Sequence, residues 1–299
     1  MQWRSHITGL AFTFVFVAFY FTNKFVLSVL KFTYPTLFQG WQTLIEAFLL
    51  LLAGKLGWVE ISRISRPAVL SWLPGSFLFV GNIYAGSRAL SRIDIPFFFT
   101  LQNSSHVVTF VVLKVLRRDK TPWLKLISVC LLLLSAASLL PFDPQFDRDG
   151  YLWALCHLSC VGAYRVFQVH HKSNNLSDME QQCVNYLLSV ALLGLAAHPT
   201  GDLTGAFRFP SLRSRTFHCG CCASAVLGFL LLLASVKLKR GLSVQHFRVW
   251  LLLSKVTAAA LSPLLFNMAV SGRSLSCVVF SHVGEVLLIH SEKDSQLER

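Results

Sequence analysis

The residue whose type and position most demand a chemical explanation is Lys255, about seven residues inside the apolar run 248–268, or roughly 10 Å deep at 1.5 Å per helical residue. An ionisable group at bilayer depth costs at least ~2.5 kcal/mol, so it implies a partner. A compact ammonium, with Ser254 beside it, suits a phosphate met as a point charge. The alternative is a carboxylate on another helix, Glu46 or Glu285. Lys24, next to Asn23 near the end of the first apolar run, either faces a ligand or snorkels to the surface. Asn82, Asn103, Asn185 and Asn267 carry paired donors and acceptors that suit a base or a sugar, and equally suit bonds between helices; Gln102-Asn103 is a polar pair early in the fourth run. Arg88 and Arg165 stand near run ends and read as anchors.

Two short patterns suggest metal chemistry and carry little weight. Asp147-Arg148-Asp149 matches the Asp-x-Asp pattern by which a membrane glycosyltransferase holds a metal, but the loop is short and supplies no acceptor domain. His218, Cys219, Cys221 and Cys222 lack a second ligand pair at zinc spacing, so no metal is expected. No Gly-x-x-x-x-Gly-Lys-Ser/Thr loop occurs, so neither a cofactor nor a triphosphate-driven step is expected.

The elements that must position these residues follow from composition. Of 299 residues 54% are hydrophobic and 14% charged, with mean hydropathy +0.57; soluble domains carry about 25% charge. The apolar runs are continuous and lack the alternation of barrel strands, and lipid offers no partner to backbone groups. The expectation is an all-α integral membrane protein of about ten transmembrane helices, at about 8–28, 36–54, 68–90, 95–116, 123–141, 150–169, 181–197, 218–237, 248–268 and 271–290. Pro35, Pro74, Pro96 and Pro263 lie in or beside these spans as candidate breaks.

The net charge of +13 sits mostly in short loops, which is membrane topology and not a nucleic-acid footprint. Fifteen Lys and Arg residues, among them Lys55, Lys125, Lys239 and Arg240, fall on the side of the N-terminus, and seven, among them Arg92, Arg148 and Arg273, on the other. This bias puts both termini in the cytosol. The acidic segment around Asp143, Asp147 and Asp149 divides the chain into a first five-helix half, 1–141, a connecting loop, 142–149, a second half, 150–290, and a cytosolic tail, 291–299. Halves with an odd number of spans are inverted repeats, a transporter arrangement that puts a site at mid-membrane. Asn175-Leu176-Ser177 is a glycosylation acceptor that this topology places in the cytosol.

Thr22-Asn23-Lys24-Phe25-Val26-Leu27 with Tyr34-Pro35-Thr36-Leu37-Phe38-Gln39 resembles the opening of nucleotide-sugar transporters of the drug/metabolite transporter superfamily. Tyr84-Ala85-Gly86-Ser87-Arg88-Ala89-Leu90, Ile95-Pro96 and Gln102-Asn103 resemble their third and fourth helices, most closely in the GDP-mannose transporter branch. The resemblance implies a ten-helix fold, a Golgi membrane location, and exchange of a nucleotide sugar for a nucleoside monophosphate; a homodimer is compatible with it. The seventh-helix Phe-Tyr-Asn-Asn motif falls on Cys183-Val184-Asn185-Tyr186, and the ninth-helix Gly-Ala-Leu-Asn-Lys motif on Leu251-Leu252-Leu253-Ser254-Lys255. The fourth-helix lysine is Gln102 here. These departures favour a UDP-linked sugar, UDP-N-acetylglucosamine first, over GDP-mannose, and leave a non-transporting Golgi scaffold or chaperone as the rival. The expected substrate-binding residues are Lys255, Ser254, Asn185, Tyr186, Gln102, Asn103, Asn23 and Lys24. On this reading replacing Lys255 with alanine abolishes uptake and leaves abundance intact.

Overall fold

A computed structural model describes residues 2–62, 64–117, 121–171 and 176–297. The glycosylation acceptor Asn175 lies outside the described residues. Among those residues there are twelve α-helices, one π turn and no strand. They run α1 (Gln2–Lys24, continued by the π turn Phe25–Val29), α2 (Pro35–Lys55), α3 (Arg66–Arg92), α4 (Ile95–Asn103), α5 (Ser105–Arg117), α6 (Trp123–Phe142), α7 (Arg148–His170), α8 (Asp178–Ala196), α9 (Asp202–Phe207), α10 (Arg215–Gly241), α11 (Val244–Leu265) and α12 (Gly272–Leu297).

Local sequence explains the starts. Pro35 opens α2, where a missing N–H costs nothing. The Ser65 and Ser243 hydroxyls accept from the backbone N–H groups of Ala68 and His246. Asp147 Oδ1 accepts from Gly150 N at 2.6 Å to start α7. Ser177 and Glu180 form a reciprocal capping box at the start of α8.

Among the described residues seven helices are long and apolar enough to cross a membrane: α1 with its π turn, α2, α3, α6, α10, α11 and α12. The other three expected spans fall on α7, α8 and the α4–α5 pair. Helices α7 and α8 are 23 and 19 residues long, but Arg148, Asp149 and Arg165 in one and Asp178, Glu180 and Asn185 in the other make them more polar. The expected single span 95–116 is broken at Ser104, whose N–H donates to Leu101 O at 3.0 Å in a tight turn while its hydroxyl donates to Leu132 O of α6 at 3.1 Å. No proline or glycine marks this break, so hydropathy does not reveal it. Conversely, Pro74 and Pro263 lie inside the continuous helices α3 and α11, and neither ends its helix. The short helix α9 was not expected; Gly201, at φ +76°, makes the turn that admits it.

The polarity is inverted relative to a soluble protein. Phe14, Phe48, Leu134 and Leu264 are exposed, whereas Asn23, Gln42, Glu46, Asn103, Lys255 and Glu285 are buried. Only a hydrocarbon solvent favours that distribution, so the chain is a multi-pass membrane protein. In the bundle α1 packs on α10 and α11, α3 on α7 and α8, α2 on α8 and α10, α4 and α5 on α7, and α6 on α12.

Candidate functional site

A chamber of about 420 Å³ opens inside the bundle. Helix α1 contributes Tyr20 and Asn23, α2 Gln39, Gln42, Thr43 and Glu46, α3 Asn82 and Ser87, and α4 Phe98 and Gln102. The other half of the chain contributes His157 of α7, Gln181, Gln182 and Tyr186 of α8, and Ser235 and Lys239 of α10. Gln39, Gln42, Thr43 and Glu46 recur at i, i+3, i+4 and i+7, so they form one stripe on α2.

Several wall groups have hydrogen-bonding capacity to spare. The buried amide oxygens of Gln42, Asn82 and Gln182 have no protein partner among the described residues. Gln42 Nε2 donates to Glu46 Oε1 at 3.2 Å, and the Tyr186 hydroxyl lies within hydrogen-bonding range of the same carboxyl. That carboxyl fits against α10 because residue 228 is glycine; a Cβ there would collide with it. The Asn23 carbonyl accepts from the Ser224 hydroxyl, and Gln39 donates to Ser87. Unpartnered acceptors in such a cavity match ligands rich in O–H and N–H donors.

One end of the chamber is a mouth. Lys239, at the last turn of α10, pairs with Asp178 at 3.4 Å with both side chains about half exposed, and its ammonium stands 5.5 Å from the centre of the Phe247 ring. Lys239 is the one lysine or arginine on the wall among the described residues.

The opposite end is closed. Lys24 Nζ donates to Leu90 O at 3.0 Å and to Ile93 O at 2.8 Å, and lies 3.8 Å from Asp94. Burial pushes the Asp94 carboxyl above the usual carboxylate range, against the pull of the Lys24 ammonium. Asp202, at the start of α9, accepts from Thr36 N at 3.1 Å and Thr36 Oγ1 at 2.6 Å, and stands 4.0 Å from Arg88. Phe32, Tyr34, Phe209 and Phe217 pack edge-on or tilted beside these contacts with centroids 4.8–6.4 Å apart.

Of the eight residues expected from sequence, Asn23, Gln102 and Tyr186 line the chamber and the other five do not. Lys255 Nζ is 2.6 Å from Glu285 Oε1 and 2.7 Å from Asn103 Oδ1, with both charged side chains nearly fully buried. This is the carboxylate pairing weighed against the phosphate role: a charge at that depth is held by a charge of opposite sign on α12. Asn103 donates in turn to Ser281 at 3.1 Å, and Ser254 bonds Thr13 at 2.9 Å. The Asn185 carbonyl accepts from Trp72 Nε1 at 3.0 Å and Ser76 Oγ at 2.8 Å, while its amide donates to Tyr164 OH at 2.9 Å. Asn185 therefore ties α3, α7 and α8 together. Lys24 is pinned to carbonyls and neither snorkels nor faces the chamber.

Sequence reasoning missed Gln39, Gln42, His157 and the placing of Glu46 on the wall. The i, i+3, i+4, i+7 stripe in an otherwise apolar run was the available signal. His157 carried no such signal.

A multi-helix bundle around a polar chamber, open at one end and latched at the other, defines the class: a membrane transporter of small polar solutes. No family model matches the chain. It is 53% identical to the UDP-N-acetylglucosamine transporter TMEM241 homolog of Xenopus laevis, over 98% of this chain and 99% of that protein. It is 50% identical to the UDP-N-acetylglucosamine transporter TMEM241 of Mus musculus, over 99% of both chains. The GDP-fucose transporter 1 of Arabidopsis thaliana is 24% identical over 91% of this chain and 82% of its own. The chain belongs to the nucleotide-sugar transporter family, in the group of transmembrane protein 241, whose members are named as transporters and not as enzymes.

Proposed function

We propose that this protein carries a UDP-linked sugar, UDP-N-acetylglucosamine first, across the Golgi membrane in exchange for lumenal uridine monophosphate. The observation that carries this reading is the chamber. Its unpartnered amide oxygens and the Glu46 carboxyl can accept from the hydroxyl and N–H groups of sugar and base, and its mouth holds a cation, Lys239, for the diphosphate. The ligand-facing set is then Asn23, Gln42, Glu46, Asn82, Gln102, Tyr186 and Lys239. Lys255, Asn185 and Lys24 brace the helices around it.

The helix pairings support two inverted halves. Matching α1, α2, α3, α4–α5 and α6 with α7, α8, α10, α11 and α12 turns the α3–α7 pairing into α10–α1, α3–α8 into α10–α2, and α1–α11 into α7 with α4–α5; each of these pairings occurs. The α2–α8 and α6–α12 pairings map onto themselves, as an axis between the halves requires. On this reading the chain crosses ten times with both termini cytosolic, and the Lys239 mouth faces the nucleotide sugar made in the cytosol. Rocking the halves about the chamber would release the Asp202 latch and close the mouth.

The test is purified protein in liposomes preloaded with uridine or guanosine monophosphate. Uptake of labelled UDP-N-acetylglucosamine driven by uridine monophosphate is the expected result. Uptake of GDP-mannose driven by guanosine monophosphate would replace the substrate, and silence with every pair would favour the scaffold role.

A further inference from the structure

His157 of α7 is 5% exposed and lies against the chamber. Its Nδ1 is 3.0 Å from the backbone carbonyl oxygen of Asn82, a group that can only accept, so Nδ1 carries the ring proton. In the neutral imidazole Nε2 is then bare, and it lies 3.2 Å from Gln102 Nε2, a group that can only donate. One donor and one acceptor therefore meet on each side of the ring, and the Gln102 amide has a fixed sense: its nitrogen is held by His157, and its oxygen is the end left for the chamber that Gln102 lines. The ring itself has no freedom to swing. Gly86 leaves it just enough room, since a Cβ there would stand 2.9 Å from Nδ1, and Phe98 packs on it at a centroid distance of 5.0 Å.

We propose that His157 is a positioning residue that holds Gln102 as a hydrogen-bond acceptor toward the ligand and so selects nucleobases presenting a ring N–H. This rests on the transport reading above. Uracil offers an imide N–H to such an oxygen, whereas cytosine offers a bare ring nitrogen at the same place. An amide free to turn over would serve both bases, because its two ends are nearly the same size. With the sense fixed, the wrong base leaves two acceptors facing each other, and leaving a polar pair unmade in a confined site is the stronger route to discrimination.

The test compares uridine and cytidine monophosphate as competitors of labelled UDP-N-acetylglucosamine uptake into liposomes, with thermal stabilisation by each monophosphate as a second reading. The ratio of the two inhibition constants is independent of how much protein folds. In His157→Phe the preference for uridine should narrow by about three- to tenfold. His157→Gln, whose amide oxygen can accept from Gln102, should retain most of it. Gln102→Met should narrow it as His157→Phe does, and supplies the test should the phenylalanine variant not fold. A ratio that stays at the wild-type value in His157→Phe or in Gln102→Met overturns the proposal while leaving transport intact. A wild type that neither exchanges nor is stabilised by either nucleotide overturns the transport reading itself, and this proposal with it.

Discussion

Replacing Lys255 or Glu285 singly by an uncharged residue should damage the fold more than the chemistry. The ammonium stands 2.6 Å from Glu285 and 2.7 Å from Asn103, and both charged side chains are about 95% buried. Removing one member leaves the other ion without water or counter-charge, which costs about 3–5 kcal/mol. For a domain of this general size that is a fall in melting temperature of roughly 6–20 °C. Removing both charges, in Lys255→Met with Glu285→Leu, should recover most of the loss, because two apolar side chains of similar volume replace a costly desolvated pair. A coupling of about 2 kcal/mol or more in the double-mutant cycle is expected. The assay is melting in detergent micelles by tryptophan fluorescence, run beside uridine monophosphate-driven exchange in liposomes. A Lys255→Met protein that melts like the wild type and yet does not exchange would refute the reasoning. It would return the ammonium to the ligand, as the sequence first suggested.

Asn185→Ala removes one acceptor and one donor shared by Trp72, Ser76 and Tyr164, so it should lower stability by about 2–4 kcal/mol while leaving the uridine-to-cytidine preference unchanged in whatever protein folds. Glu180→Ala breaks the α8 capping box and its bonds to Ser62 N and Oγ, and should cost about 1–2 kcal/mol. Burial alone would raise the Glu180 carboxyl, but hydrogen bonds from Ser62 and Ser177 outweigh it and hold it below the usual carboxylate range. Its contribution is therefore present above the unfolded value near pH ~4.3 and lost as pH falls through the folded one, so melting curves of wild type and Glu180→Ala should converge in acid. Asp202→Ala frees Thr36 and Arg88 at the closed end. In a background without native cysteines, a cysteine placed at Ser87 should then be labelled severalfold faster by an impermeant thiol reagent from that side.

How much of this was legible in the sequence depended on range. Spans, most boundaries and the location of the polar residues follow from local composition, and α2, α3, α6 and α10 lie where the apolar runs put them. The break at Ser104 was not legible, because the serine's hydroxyl bonds a carbonyl of α6, 28 residues away. The site was half legible for the same reason. An isolated cation in an apolar run announces that a partner exists, but Lys255 meets Asn103 across 152 residues, and the helix register that brings them together is not written near either. The physics also biases such a search. A buried cation is costly enough that it needs a compensating group beside it, and Lys24 and Lys255 both meet protein groups in this structure. Amides cost less to bury and can keep one end unpaired, which is the condition of Gln42, Asn82 and Gln182. In this bundle the polar stripe of α2 lies on the chamber wall, whereas Lys24 and Lys255 do not. The polar face of α2, at positions 39, 42, 43 and 46, is the part of this site that sequence alone had enough information to find.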